Sequence, residues 1–203
     1  VMLLQNGKFN TAIKNIPPQY VIGNDFVYKY EKETQFWAGN EFLYFDNKDL
    51  KSGGNNISYV SADKDIYETH LYTHNDLTNS SYTKTTDVNG LFVERNINGN
   101  DPKIEADYSW VYFTLSAPSF MLKKDIYVTG MFNNYSISPE YKMEYDPKRG
   151  LYEKAVLIKQ GFVNYQYLVA DEKGIIDQEN GVDGNFYQTE NQYFVLVYYK
   201  GLA

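Results

Sequence analysis

Apolar and polar residues alternate along much of the chain with a period of two, which is the pattern of β-strands. In the segment DIYVTGMF, Ile126 and Val128 are predicted on one face, with Tyr127 and Thr129 on the other. The segment YFVLVYY, residues 193–199, is apolar on both faces, as expected of a strand inside a sandwich. Further strands are predicted at PQYVIG, DFVYKY, NEFLYF, LFVERNI, DYSWVYFTL and NYQYLV.

Pairs of turn-forming residues separate these strands, for example Asn89-Gly90 and Lys173-Gly174. No long amphipathic helix is predicted. The segment ADKDIYETHLY, residues 62–72, fits a short helix or a strand equally well. The pattern therefore indicates an all-β protein.

The segment LSAPSFMLKK, residues 115–124, interrupts two strong strand patterns and is the best candidate for a domain boundary. The strand spacing predicts two tandem immunoglobulin-like β-sandwich domains, residues 1–118 and 122–203, which meet near Pro118. In the first domain we predict that Trp110, Phe113 and Leu115 are packed. Both faces of their strand are apolar enough to be largely covered.

Composition narrows the function classes. The 203 residues carry a net charge of −7 and no basic run, so we expect no nucleic-acid partner. There is no cysteine, which removes disulfides and thiolate metal sites. The opening VMLLQNG resembles a strand already under way, so we expect a fragment or processed product whose export signal would lie upstream.

A metal site is the first candidate chemistry. His70, His74 and Glu68 would share one face of a strand. However, the Cα atoms of the two histidines would then be roughly 13 Å apart, too far for one ion. The loop DQENGVDGN, residues 177–185, departs from the order of a calcium loop at Gly181 and is interpreted as a turn. We therefore predict no metal and no cofactor.

Catalytic sites are equally unsupported by motif. No G-x-S-x-G elbow accompanies the two histidines. The carboxylates fall mostly in turn-like contexts, where solvent keeps an acid at its ordinary pKa. We predict that the protein is not an enzyme.

The segment QFWAGNEFLYFD, residues 35–46, holds more aromatic bulk than one strand face needs. One interpretation is a core strand, with Phe42, Tyr44 and Asp46 on one side and Leu43 and Phe45 on the other. The alternative is an exposed tryptophan that acts as an interface anchor. Burial of the indole of Trp37 distinguishes the two.

Residues 126–199 resemble the early-set immunoglobulin-like modules that bind glycogen and starch, through IYVTGMFNNYS, the hairpin at Gly150 and TENQYFVLVYY. The resemblance implies that Tyr135 replaces the first sugar-stacking tryptophan. Asn191 would hydrogen-bond a sugar hydroxyl, and Gln166 would replace a lysine. The loop that normally carries the second tryptophan supplies only Ile175 and Ile176. Such a degenerate site implies weak glycan binding or none.

Nearly the whole chain also resembles the plug protein family of the type IX secretion system. The run W-x-G-N-E-F-L-Y-F-D, residues 37–46, and the run E-A-D-Y-x-W-V, residues 105–111, carry this resemblance. It implies a non-enzymatic subunit in the periplasm, associated with the outer membrane. Its implied partner is the translocon barrel protein, whose periplasmic mouth the plug occludes. Alternative functions are a carbohydrate-binding protein and, less expected, a glycoside hydrolase fragment.

Overall fold

The structure, a computed structural model, describes residues 1–63, 66–85, 87–117 and 123–200. Regular structure in these residues is almost entirely β-strand. The strands are β1 Met2–Gln5, β2 Tyr20–Ile22, β3 Asp25–Val27, β4 Leu43–Asp46, β5 Ile57–Asp63, β6 Ile66–Leu71, β7 His74–Asn75, β8 Phe92–Glu94, β9 Tyr108–Ser116, β10 Asp125–Gly130, β11 Glu144–Asp146, β12 Leu151–Lys159, β13 Gly161–Ala170 and β14 Tyr193–Leu196. The helical elements are one α-helical turn, Pro102–Glu105, and the 3₁₀ turns Met131–Asn133 and Pro139–Tyr141.

Two larger sheets form the body of the protein. One has the strand order β11-β12-β9-β6-β5, with β7 also paired to β9; the other has the order β10-β13-β4, with β8 also paired to β13. Their inner faces pack together: the ring of Phe113 on β9 lies 5.0 Å from Tyr165 on β13 and 6.1 Å from Phe45 on β4. The all-β, sandwich-like prediction is therefore confirmed.

Strand β9 shows how the sequence pattern becomes a layered structure. Val111, Phe113 and Leu115 point inward and are buried, while Trp110 and Tyr112 lie on the opposite face. The predicted burial of Phe113 and Leu115 is confirmed, but Trp110 is 38% exposed, so its predicted packing is wrong. The physical reason is that the six-stranded sheet is covered on its inner face, while its outer face meets solvent.

Both larger sheets combine strands from either side of the predicted domain boundary. Strand β12 pairs with β9, placing Val156 opposite Val111, and β13 pairs with β4, placing Val163 opposite Phe45. The arrangement as two tandem immunoglobulin-like domains is not confirmed. Pairing between strands this distant in sequence leaves no trace in a local boundary motif. Pro118 itself lies outside the described residues.

Strand β14 is not in the sandwich interior, so that prediction is wrong. Among the described residues it pairs only with β1, in a separate two-stranded sheet, and its residues Tyr193, Phe194 and Val195 are exposed. The apolar run correctly indicated a strand. It did not indicate which elements pack against that strand. A further two-stranded sheet, β2 with β3, is also mostly exposed.

Within residues 62–72, for which helix and strand were both open, residues 62–63 end β5 and residues 66–71 form β6, which pairs with β5. The alternating burial on β6 places Thr69 and Leu71 inward and Glu68 and His70 outward. Among the residues that the structure describes, no helix has the length and apolar character needed to cross a membrane.

Candidate functional site

Trp37 lies at the surface, with 48% of its area exposed. It begins residues 37–40, named here the Trp37 segment, which have no regular secondary structure and precede β4. Phe42 and Phe45, further along the same aromatic run, are buried. The core-strand interpretation is therefore correct for these two phenylalanines and wrong for Trp37, whose exposure supports the anchor alternative.

Side chains from distant parts of the chain hold the backbone of the Trp37 segment. The Gln5 side chain donates a hydrogen bond from Nε2 to the carbonyl of Trp37, at 3.0 Å. The amide of Asn191 donates to the carbonyl of Ala38, at 2.9 Å. Backbone carbonyls fixed in this way cannot reorient freely, so the backbone that carries the indole has a defined position on the surface.

Gly39 and Asn40 complete the support of the segment. Gly39 adopts a left-handed conformation with φ of 69°, which favours glycine. Its backbone N–H donates to Oδ1 of Asn185 at 2.9 Å, and its carbonyl accepts from the N–H of Phe186 at 2.7 Å. The side chain of Asn40 donates to the carbonyl of Asp183 at 2.8 Å. Gly39 and Asn40, the glycine and asparagine of the motif, thus help to fix the backbone of the segment.

Asn191, predicted to hydrogen-bond a sugar, has its amide occupied within the protein. Besides its bond to Ala38, it accepts a hydrogen bond at Oδ1 from Nδ2 of Asn6, at 2.7 Å. It lies between the β1–β14 sheet and the Trp37 segment. Its geometry therefore fits a residue that holds two parts of the fold together.

Tyr135, predicted as a stacking aromatic, is only 5% exposed. Its hydroxyl donates to the carbonyl of Gly90, and its ring packs against Phe42 with centroids 6.0 Å apart. Burial raises the pKa of this hydroxyl. A ring enclosed in this way is not available as a platform for a sugar on the surface.

Lys8 connects several of the predicted residues. Its ammonium group lies 3.4 Å from Oε1 of Gln166 and over the rings of Phe42 and Tyr135, 5.4 and 5.7 Å from their centroids. Burial of this group lowers the pKa of Lys8 to about 8. No motif marks Lys8, which follows an Asn-Gly pair like any turn lysine, so the sequence offered no signal for its role.

Lys8, Gln166, Asn191 and the Trp37 segment line one cavity of about 80 Å³. The structure therefore brings Gln166, Asn191 and Trp37 together, while Tyr135 approaches the group through Lys8. The cavity is far below the roughly 300–1,000 Å³ of small-molecule sites and has room for a few water molecules. Its volume gives no support to a sugar site.

Asp183 also lines this cavity, and its carboxylate lies beside the imidazole of His74. One carboxylate oxygen of Asp183 accepts from the backbone N–H of Tyr167 at 2.8 Å. The other lies 3.8 Å from Nε2 of His74, and neither of these two atoms has a hydrogen-bond partner within the described part of the chain. Burial raises the pKa of Asp183 to about 7 and lowers the pKa of His74 to about 4. At neutral pH the imidazole is therefore uncharged.

Within this cavity these groups do not form a catalytic set around a substrate-sized space. Glu41 also borders the cavity, but its carboxylate accepts hydrogen bonds from the Tyr82 hydroxyl and from the backbone N–H of Glu190. A glycosidic bond between Glu41 and Asp183 would need much more space than about 80 Å³. The geometry gives no support to the hydrolase alternative.

The histidines and the acidic loop have separate surroundings. His70 is stacked between Tyr59 and Tyr112, with centroids 4.1 and 4.3 Å away, on the outer face of the six-stranded sheet. Asp177 in the loop of residues 177–185 forms an ion pair with Lys124 at 2.7 Å. Within the described residues, no group of three or more histidine or carboxylate side chains is arranged to hold a metal ion.

No protein-family model matches the chain, and no curated protein is recognisably similar to it. The fold is similar to the crystal structure of a hypothetical protein from Parabacteroides merdae ATCC 43184, with a TM-score of 0.86 and 31% sequence identity. The match covers 95% of this chain and 48% of that one. This chain thus spans about half the length of the protein that it resembles.

Proposed function

We propose that the protein is a non-enzymatic interaction subunit that acts as a plug of the type IX secretion translocon. Its partner in this proposal is the outer-membrane barrel protein of the translocon, which it contacts from the periplasm. The observation that carries the proposal is the exposed indole of Trp37 on a firmly hydrogen-bonded segment. The sequence resemblance in residues 37–46 supplies the identity of the partner.

A tryptophan held in this way is suited to binding a protein surface. Tryptophan is enriched among the residues that contribute most to protein interfaces. Because the Trp37 segment is already ordered by its hydrogen bonds, less conformational entropy is lost on docking. The other motif residues support this presentation: Gly39 and Asn40 hold the backbone, and Phe42 and Phe45 connect it to the buried side of the protein.

Carbohydrate binding is the alternative, and no single observation favours it over the plug proposal. The side chains that would contact sugar are a buried ring, Tyr135, and an occupied amide, Asn191. Ile175, where the second aromatic platform would stand, is exposed but aliphatic. Trp37, which lines the same cavity as Asn191, is an exposed aromatic group near this site.

The two tryptophans of the chain provide a matched test. Trp37→Ala and Trp110→Ala remove the same side chain from two exposed positions, 48% and 38% accessible, on different elements. The full-length wild-type protein and its two variants would each be purified from the native envelope. The outer-membrane barrel protein that accompanies each of them would be quantified by mass spectrometry. Thermal unfolding of both variants establishes that they are folded.

We expect Trp37→Ala to weaken retention of the barrel protein by at least about tenfold, as for a residue that contributes strongly to an interface. Trp110→Ala should leave retention near the wild-type level. Equal retention in the two variants contradicts the role of Trp37. Absence of any outer-membrane barrel from the wild-type preparation contradicts the proposed function itself.

A further inference from the structure

An apolar surface lies on β14 and the residues that follow it. Val195, Val197 and Tyr199 are 64%, 72% and 88% exposed. The run YFVLVYY that contains them consists of aliphatic and aromatic residues and carries no charge. Phe194 and Tyr198, on the opposite face, are exposed as well. A contiguous apolar surface of this kind on a soluble domain marks an interaction site.

The backbone edge of this strand is also open. Within the described residues β14 pairs with β1 alone, through the register Leu3 opposite Val195. Free edges in natural sheets are usually protected by charged residues, proline or a bulge. Residues 193–199 carry neither charge nor proline. An unprotected edge and two apolar faces together indicate that another polypeptide segment covers this strand.

A groove beside β14 gives the surface a shape that can accept side chains. It has a volume of about 320 Å³. Its lining is predominantly apolar and comes from β1, from β14 and the residue after it, and from the segments between the two strands: Leu3, Ile16, Tyr28, Tyr30, Val195 and Val197. The hairpin of β2 and β3, which immediately precedes Tyr28 in the chain, carries the exposed residues Val21 and Phe26. Aliphatic or aromatic side chains of a partner would fit this groove.

The similar structure indicates the source of that partner. More than half of the Parabacteroides merdae chain lies outside the match, since the match covers 48% of it, whereas this chain is covered almost completely. The body shared by the two proteins therefore occurs beside additional polypeptide in that protein. A covalently attached unit is present at high effective concentration, so it can cover an adjacent apolar strand efficiently.

We propose that β14, residues 197–199 and the adjoining groove are the docking face for a further folded unit of the same polypeptide. That unit corresponds to the part of the Parabacteroides merdae chain outside the match. It covers the apolar faces of β14 and fills the groove with its own apolar side chains. This interface is distinct from the Trp37 segment and does not depend on the proposed function.

Single cysteines test the proposal, because these 203 residues contain no cysteine of their own. Val197→Cys and Tyr199→Cys would be introduced into the complete natural protein, with Ile104→Cys as the control. Ile104 is 81% exposed and lies on the helical turn Pro102–Glu105, away from β14 in sequence and in the sheets. Maleimide labelling at each position would be followed by peptide mass spectrometry at several protein concentrations.

We expect both β14-side cysteines to label at least about tenfold more slowly than Ile104→Cys, since the thiol reacts only when the interface opens. The protection should not change on dilution. Labelling as fast as the control overturns the proposal. Protection lost on dilution also overturns it, because the cover is then a second copy. A complete natural protein without a further folded unit overturns it as well.

Discussion

The Trp37 segment and β14 both present aromatic surface to solvent, yet they are built in opposite ways. The Trp37 segment has no regular secondary structure, but side chains from Gln5, Asn191 and Asn40 hold it in place. Strand β14 is regular, but in the part of the chain that the structure describes it pairs only with β1, and it is exposed on both faces. Specific hydrogen bonds hold the segment that exposes Trp37, whereas β14 is exposed because no element of the described chain packs on its faces.

This difference predicts how the two regions respond to substitution. A change in the support of the Trp37 segment should affect both stability and the position of the indole. In a protein of residues 1–203, a change in the exposed side chains that follow β14 should alter neither the stability nor the position of the indole. The predictions below use this contrast.

The largest effect is expected for Asn191→Ala. It removes the donor to the carbonyl of Ala38 and the acceptor for Asn6, leaving both partly buried groups without those bonds. The free energy of unfolding should fall by about 1–3 kcal/mol. Urea denaturation measures it, with Tyr199→Ala as the control, expected within about 0.5 kcal/mol of wild type. Equal losses in the two variants would remove the distinction between the regions.

A smaller effect is expected for Gly39→Ala. The added methyl group meets no atom within 4 Å, so its cost comes from the left-handed backbone and should be about 1–2 kcal/mol. Gly150→Ala is a matched control with φ of 68° and the same open space, in the turn between β11 and β12. Both variants should lose similar stability by urea denaturation.

The indole distinguishes these glycine variants. In a Trp110→Phe background, Trp37 is the remaining tryptophan of the chain, so its fluorescence reports the segment. The emission maximum should shift in Gly39→Ala and remain unchanged in Gly150→Ala. An identical emission spectrum in all three proteins would show that the glycine does not help to position Trp37.

The strands were largely predictable from sequence because alternation is a local signal. The inward residues of β9 and β13, such as Phe113 and Tyr167, follow it closely. Which strands pair was not predictable, because β12 with β9 and β13 with β4 join residues far apart in the chain. The apolar pattern of a strand also does not show which element packs on each of its faces. The predictions that Trp110 and β14 lie in the interior are therefore wrong.

The candidate site was predicted only in part, and for a physical reason. The resemblance selected Gln166 and Asn191, and the aromatic bulk of residues 35–46 selected Trp37; the three line one cavity. The resemblance could not indicate that Gln166 and Asn191 form hydrogen bonds within the protein. Lys8 and Asp183 were missed because a turn lysine and a loop aspartate look solvent-exposed in sequence, and only the tertiary fold encloses them.

Asp183, which lines the cavity beside the Trp37 segment, should make the free energy of unfolding depend on pH. Burial raises the pKa of this carboxyl to about 7 in the folded protein, above its value of about 3.9 in an unfolded chain. Between these values the folded state binds more protons, so the stability contributed by Asp183 falls as the pH rises toward 7. Asp183→Asn removes this contribution while an amide oxygen still accepts from Tyr167.

The measurement is urea denaturation of wild type and Asp183→Asn at pH 5 and pH 8. The stability of the variant relative to wild type should be greater at pH 8, where the wild-type carboxyl is ionised. His74 contributes in the opposite direction between about pH 4 and 6.5, because burial lowers its pKa to about 4. It remains in both proteins, so its own contribution largely cancels in the difference. A difference independent of pH would contradict the burial of the Asp183 charge.

The smallest expected effect is the response to maltoheptaose, which should be absent. The ring of Tyr135 is enclosed, the amide of Asn191 is occupied, and Ile175 offers no aromatic face. Even millimolar affinity requires about −4.1 kcal/mol, which a shallow site without a stacking ring does not reach. Isothermal titration of residues 1–203 should show no saturable heat, and Asn191→Ala should behave in the same way. Saturable binding at micromolar concentration that is lost in Asn191→Ala would instead favour the carbohydrate-binding alternative, because it would require Asn191 to leave its protein partners for a sugar.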